Sequence, residues 1–220
     1  MGAFGFRKPE DLPRMIPIFP LPGALLLPRT ELPLNIFEPR YLNMIDDALS
    51  GDRLIGMIQP TPSARDPMHP DLCDVGCVGR ITTFSETDDG RYLITLTGVC
   101  RYRAARELDA KTPYRQVEAA YDDFGDDLLP SHQTERIDRA RLSTSLRHYV
   151  EANGFKADWG AVEEAPAEAL VNALATLCPF EPEEKQALLE APDLRARCDA
   201  LITLLEIDSA GSGAPPSSVQ

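Results

Sequence analysis

Long apolar runs are missing from these 220 residues. Nothing approaches the roughly 18–20 apolar residues that cross a bilayer, so no transmembrane helix is expected. Positive charge is scarce, with 22 Lys+Arg against 35 Asp+Glu and a formal net charge of -13. That balance argues against general affinity for nucleic acid or an anionic membrane, since both need a cationic face. Five cysteines, Cys73, Cys77, Cys100, Cys178 and Cys198, are too few and too scattered for a secreted disulfide framework. The apolar stretch from Met15 to Leu27 holds Pro17, Pro20 and Pro22, which would break a signal-peptide helix. A reduced, cytoplasmic protein is the expectation.

Catalytic signatures are missing as well. There is no G-x-S-x-G and no G-x-x-x-x-G-K-[ST], so neither a nucleophile elbow nor a phosphate loop is expected. A Ser–Lys dyad would have to use Lys8, Lys111, Lys156 or Lys185, and Lys185 reads as part of a solvated helix face. Acidic pairs such as Asp46-Asp47, Asp122-Asp123 and Asp126-Asp127 read as solvated or capping carboxylates. No catalytic residue and no cofactor is assigned.

What is present divides in two. Residues 1–120 carry 14 basic and 16 acidic residues, whereas residues 121–220 carry 8 and 19. The nearly neutral half has strand punctuation. Met15–Phe19, Leu54–Gln59, Val78–Ser85 and Arg91–Val99 are apolar or alternating runs, and Asp89-Gly90 suits a hairpin turn. Tyr102–Arg106 and Tyr114–Tyr121 predict further strands. A helix starting near Pro39 and stopping at Gly51 interrupts them. The acidic half switches to helical spacing. Ser131 would cap a helix ending near Asn153, Asp158 a short turn, and Asp193 a last helix, with two more opening at Pro166 and Pro182. Short connections predict a small bundle. An α+β fold follows, with a β-rich part over 1–125, a helical bundle over 126–208 and a disordered tail over 209–220.

Two clusters admit chemistry. His69, Cys73 and Cys77 stand at H-x3-C-x3-C, donors that zinc accepts, but the spacing is not the usual C-x2-C, no fourth ligand is visible, and free cysteine is more commonly a small buried apolar residue. Arg80, Arg91, Arg101, Arg103 and Arg106 would form a cationic patch if they shared a face.

Several motifs in order point to a family. They run Ile16-Pro17-Ile18-Phe19-Pro20-Leu21-Pro22-Gly23, then Leu34-Asn35-Ile36-Phe37-Glu38-Pro39-Arg40-Tyr41, then Ile55-Gly56-Met57-Ile58-Gln59-Pro60. Val75-Gly76-Cys77-Val78-Gly79-Arg80-Ile81, Asp89-Gly90-Arg91-Tyr92 and Leu96-Thr97-Gly98-Val99-Cys100-Arg101-Tyr102 follow, with Glu184-Lys185-Gln186-Ala187-Leu188-Leu189 in the helical part. Together they resemble the N-terminal substrate-recognition domain of the Lon protease, from about Met15 to Ile207. The resemblance implies a PUA-like β-rich part followed by a helical bundle. It implies a stand-alone Lon-N-like protein without ATPase and peptidase domains, a non-catalytic module that binds unfolded or client proteins. Such a module would serve as an adaptor in proteolysis or quality control beside a separate protease. The groove between sheet and bundle would hold the ligand, with Arg40, Tyr41, Met57 and Met68 as contacts. A metal-dependent or thiol enzyme using His69, Cys73 and Cys77, and an RNA-binding PUA-like module using the arginines, are the alternatives. The Pro60–Pro70 segment is longer than the family pattern requires.

Overall fold

A computed structural model describes residues 3–62, 69–129 and 137–212. The chain divides into two compact units, residues 1–130 with 180–189, and residues 131–179 with 190–220.

The first unit is built on six strands: β1 (Met15–Pro20), β2 (Glu31–Ile36), β3 (Leu54–Ile58), β4 (Val75–Glu86), β5 (Tyr92–Glu107) and β6 (Gln116–Ala120). They hydrogen-bond in the order β2-β5-β4-β3-β1-β6, and a further β5–β6 pairing closes five of them into a barrel. β1 and β3 run parallel, Ile18 opposite Gly56, and every other pair is antiparallel. A parallel pair needs a crossover, and helix α1 (Pro39–Ser50) lies within it in sequence. Its apolar residues at helical spacing, Tyr41, Met44, Ile45 and Ala48, are the buried ones. The alternation of β1, β5 and β6 fills the interior with Ile16, Ile18, Leu96, Tyr102 and Val117.

The sequence pattern suggests separate strands over 91–99 and 102–106, but β5 is one strand of 16 residues. Gly98 lies inside it because the backbone of Leu27 crosses there. Arg29 N–H donates to the Gly98 carbonyl at 2.8 Å and Gly98 N–H to the Thr30 carbonyl at 2.9 Å. A side chain would collide with the Leu27 carbonyl, so glycine marks a close approach rather than a strand end. The first half of β5 pairs with β2 and its second half with β6, and register shifts against β4 and β6 bend it between the two roles. The β4–β5 turn has Gly90 at φ 77°, as the Asp-Gly pair requires.

Helix α5 (Pro182–Glu190) has the helical period expected of the bundle, yet residues 180–189 group with the barrel unit. Arg101 supplies one reason. Its guanidinium and backbone N–H donate to the Asp127 carboxylate at 2.8–3.0 Å, and its remaining arm donates to the Leu189 carbonyl at 3.1 Å. Phe124 packs under the guanidinium at 4.7 Å. Asp127 is therefore not a solvated carboxylate. It is buried in a short 3-10 segment (Asp122–Leu128) as the partner of a buried cation.

The second unit holds α2 (Arg139–Ala152), α3 (Trp159–Glu164), α4 (Ala167–Leu177) and α6 (Leu194–Ser212). Ser131 lies outside the described residues. The helix expected from it starts at Arg139, capped by Asp138, which accepts from Arg141 N–H at 2.9 Å. Asp158 caps α3 and Asp193 accepts from Ala196 N–H at 2.8 Å. Glu206 receives Arg141 and Ser145, joining α6 to α2, and Arg197 donates to Asn172 in α4. α6 continues to Ser212, so residues 209–212 are helix rather than tail. Residues 213–220 lie outside the described residues. No helix of the described residues is long and apolar enough to cross a membrane.

Removing one partner of a buried pair strands the other charge, which costs about 3–5 kcal/mol. Asp127→Ala is expected to lower stability by that order in urea unfolding. The double variant Arg101→Met, Asp127→Leu is expected to recover most of the loss.

Candidate functional site

A cleft of about 430 Å³ opens at one rim of the barrel, within the first unit. Strand ends and helix starts supply its walls. Pro20 and Pro22 come from the exit of β1, Pro60 and Pro62 from the exit of β3, and His69 and Pro70 from the approach to β4. Pro113, Tyr114 and Arg115 precede β6, Arg40 and Tyr41 begin α1, and Pro182 and Glu183 begin α5. Prolines collect here because they stand at strand exits, in the loops leading into strands or at a helix start, positions that need no backbone N–H. Their fixed φ limits the conformations open to the rim.

Tyr41 lines this cleft at 5% residue exposure. Its ring meets Phe19 at 4.2 Å, and the Arg40 guanidinium lies 4.6 Å from its centroid. Burial, joined by the Glu38 charge, holds its phenol above the usual range against the opposing pull of Arg40 and Arg115. Its hydroxyl makes no hydrogen bond among the described residues. The Tyr114 hydroxyl is spent, donating to Asp47 in α1 at 2.6 Å, and burial with this bond pushes its pKa up to about 12. Each arginine has a carboxylate beside it. Arg40 pairs with Glu38 at 2.9 Å, and Arg115 with Glu107 at 2.6 Å. Arg115 also donates to the Pro70 carbonyl at 2.7 Å, fixing the approach to β4.

Gln59 holds the walls together. Its side-chain carbonyl accepts from Gly23 N–H at 2.9 Å, and its amide donates to the Pro182 carbonyl at 3.0 Å and to Gln186 Oε1 at 3.2 Å. Gln186 donates in turn to the Val75 carbonyl, and Lys185 Nζ to the Gly23 carbonyl, both at 3.0 Å. Lys185 thus belongs to this clasp and not to a solvated face.

Of the contacts expected from sequence, Arg40 and Tyr41 come together in the cleft. Met57 does not, because all five residues of β3 are buried and Met57 is 3% exposed. Met68 lies outside the described residues. Tyr114 and Arg115 do not stand out in the sequence, although Pro113-Tyr114-Arg115 repeats the composition of Pro39-Arg40-Tyr41. The alternative sites do not assemble. Cys77 is buried in β4, and among the described residues no group of three or more His, Cys, Asp and Glu is placed to hold a metal ion. Nor do the five arginines make a cationic face. Arg101 is buried on Asp127, Arg91 pairs with Asp89, Arg103 with Asp123 and Arg106 with Glu118, while Arg80 lies over Phe4.

The family model for the ATP-dependent protease La (LON) substrate-binding domain matches residues 15–206. The chain belongs to this family. Lon protease 2 of Myxococcus xanthus is 28% identical over 213 residues, covering 93% of this chain and 25% of that protein. Lon protease of Parabacteroides distasonis is 29% identical over 209 residues, covering 89% and 24%. The chain therefore spans about a quarter of the length of the curated relatives it matches. Two solved structures share the fold. The Lon N-terminal domain protein from Xanthomonas campestris superposes with a TM-score of 0.61 at 21% identity, covering 86% of this chain and 97% of that one. The N-terminal domain of the Mycobacterium avium complex Lon protease gives 0.64 at 15%, covering 87% and 97%. The match is to a substrate-binding domain of Lon, not to a catalytic one.

Two expectations follow for this Lon-type domain. Gln59→Leu leaves the Gly23 N–H without its partner and removes the side-chain bonds to Pro182 and Gln186, at about 1–3 kcal/mol for an unsatisfied buried group. Hydrogen exchange of α5 is expected to accelerate while that of β5 stays slow. The Arg115 hydrogen bond holds the Glu107 carboxyl below its ordinary 4.5. The pair thus contributes stability above the unfolded carboxyl's pKa and loses it as pH falls through the folded value. Glu107→Gln is expected to flatten that part of the stability–pH curve below about pH 4.5.

Proposed function

We propose that this chain is a non-catalytic module that binds exposed apolar segments of unfolded or client proteins at the barrel-rim cleft, with Arg40 and Tyr41 among its contacts. The observation that carries the reading is the cleft itself. It is concave, walled by apolar prolines and two tyrosines, and tied by the Gln59 clasp, which suits a preformed ligand site. Membership of a substrate-binding family agrees with it. The role fits an adaptor in proteolysis, delivering clients to a separate protease in the cytoplasm. No part of it calls on nucleic acid, a membrane or a cofactor.

The test is fluorescence anisotropy of a labelled, permanently unfolded polypeptide titrated with this protein, without ATP. Saturable binding is expected, weakened about tenfold or more by Tyr41→Ala and less by Arg40→Ala. Thermal unfolding checks that both variants fold. Absence of binding at high protein concentration, or binding indifferent to both substitutions, contradicts the reading.

A further inference from the structure

The chemistry of the cleft wall restricts how a peptide can be held there. Seven of its fourteen described lining residues are prolines, which carry no N–H. Main-chain donors of two others are spent, Tyr41 N–H on the Glu38 carbonyl at 2.9 Å and Thr61 N–H on the Asp71 carbonyl at 2.7 Å. Two proline carbonyls are also engaged, Pro70 by Arg115 and Pro182 by Gln59. Adding a strand to a sheet requires alternating donors and acceptors along one edge. With seven prolines lacking an N–H and two further donors spent, the described part of this wall offers few of them. Beside the side chains of His69 and Glu183, the described wall offers apolar surface and the Tyr41 hydroxyl, which has no hydrogen bond among the described residues although the residue is 5% exposed. The charges of Arg40 and Arg115 are each answered by a carboxylate and Glu183 adds another, so the cleft does not favour an acidic group.

Resting on the function proposed above, we infer that the cleft captures one large uncharged side chain of an extended peptide, with the Tyr41 hydroxyl donating to the adjacent ligand carbonyl. The ligand's backbone N–H groups take no essential part. Recognition is by side-chain insertion and not by strand addition.

The unfolded polypeptide that binds is tiled into overlapping ten-residue peptides, and the tightest is resynthesised in three forms. One is unchanged, one has N-methylated backbone amides, and one has its largest apolar residue replaced by Ala. N-methylation is expected to change affinity by about twofold or less, since the N–H groups carry no needed bond. The Ala form is expected to lose about tenfold or more. Tyr41→Phe, which keeps the ring and the fold, is expected to lose about two- to tenfold against all forms that bind. Loss of binding on N-methylation with the parent still bound overturns the insertion mode and leaves the peptide-binding reading standing. Tighter binding of a peptide with Asp or Glu in place of the apolar residue also overturns it. If neither the polypeptide nor any tile binds, the peptide-binding reading itself falls, and this inference with it.

Discussion

One buried amide carries the site. Gln59 leaves the end of β3 and saturates its polar atoms on a loop after β1 and on the first turn of α5, more than 120 residues away in sequence. A buried amide is expensive unless fully bonded, so this arrangement specifies one placement of both walls. Without it the prolines of the rim would be separate strand ends. With it they become a cleft whose shape exists before any ligand arrives.

Charge is placed with similar economy. The chain is strongly acidic, and several arginines of the barrel unit stand beside carboxylates. Arg101 is buried on Asp127 and ties β5 to α5, and Arg115 holds Glu107 and the Pro70 carbonyl. A cleft whose two arginines each stand beside a carboxylate gives little electrostatic steering to an anionic partner. Under the proposed function, shape, apolar contact and the Tyr41 hydroxyl supply most of the cleft's specificity.

Much of the fold is legible in the amino-acid sequence alone. The α+β division, the hairpin at Asp89-Gly90, the helix from Pro39 and the pairing of Arg40 with Tyr41 near a strand–helix junction all follow from local spacing and turn chemistry. What is not legible there depends on chain segments distant in sequence. Gly98 ends a period but not a strand, because the reason for glycine there is the Leu27 backbone. Asp127 reads like any surface aspartate until Arg101 is placed beside it. Met57 has the composition of an adaptable contact, yet β3 is buried throughout. α5 has ordinary helical spacing, and its bonds through Gln59, Lys185, Gln186 and Arg101 show that it belongs with the barrel. The prolines are legible as punctuation, while their gathering at one rim is a consequence of barrel closure through β5 and β6.

On the proposed function, the proline-walled rim is where the ligand sits. The most direct measurement is a backbone and side-chain NMR titration of this protein with the unfolded polypeptide. The account predicts shift changes concentrated at Tyr41, Thr61, Tyr114 and Arg115, with the barrel interior around Tyr102 unmoved. Changes confined to the exposed surface of β2, β4 and β5 around Leu93, with the rim silent, would contradict it.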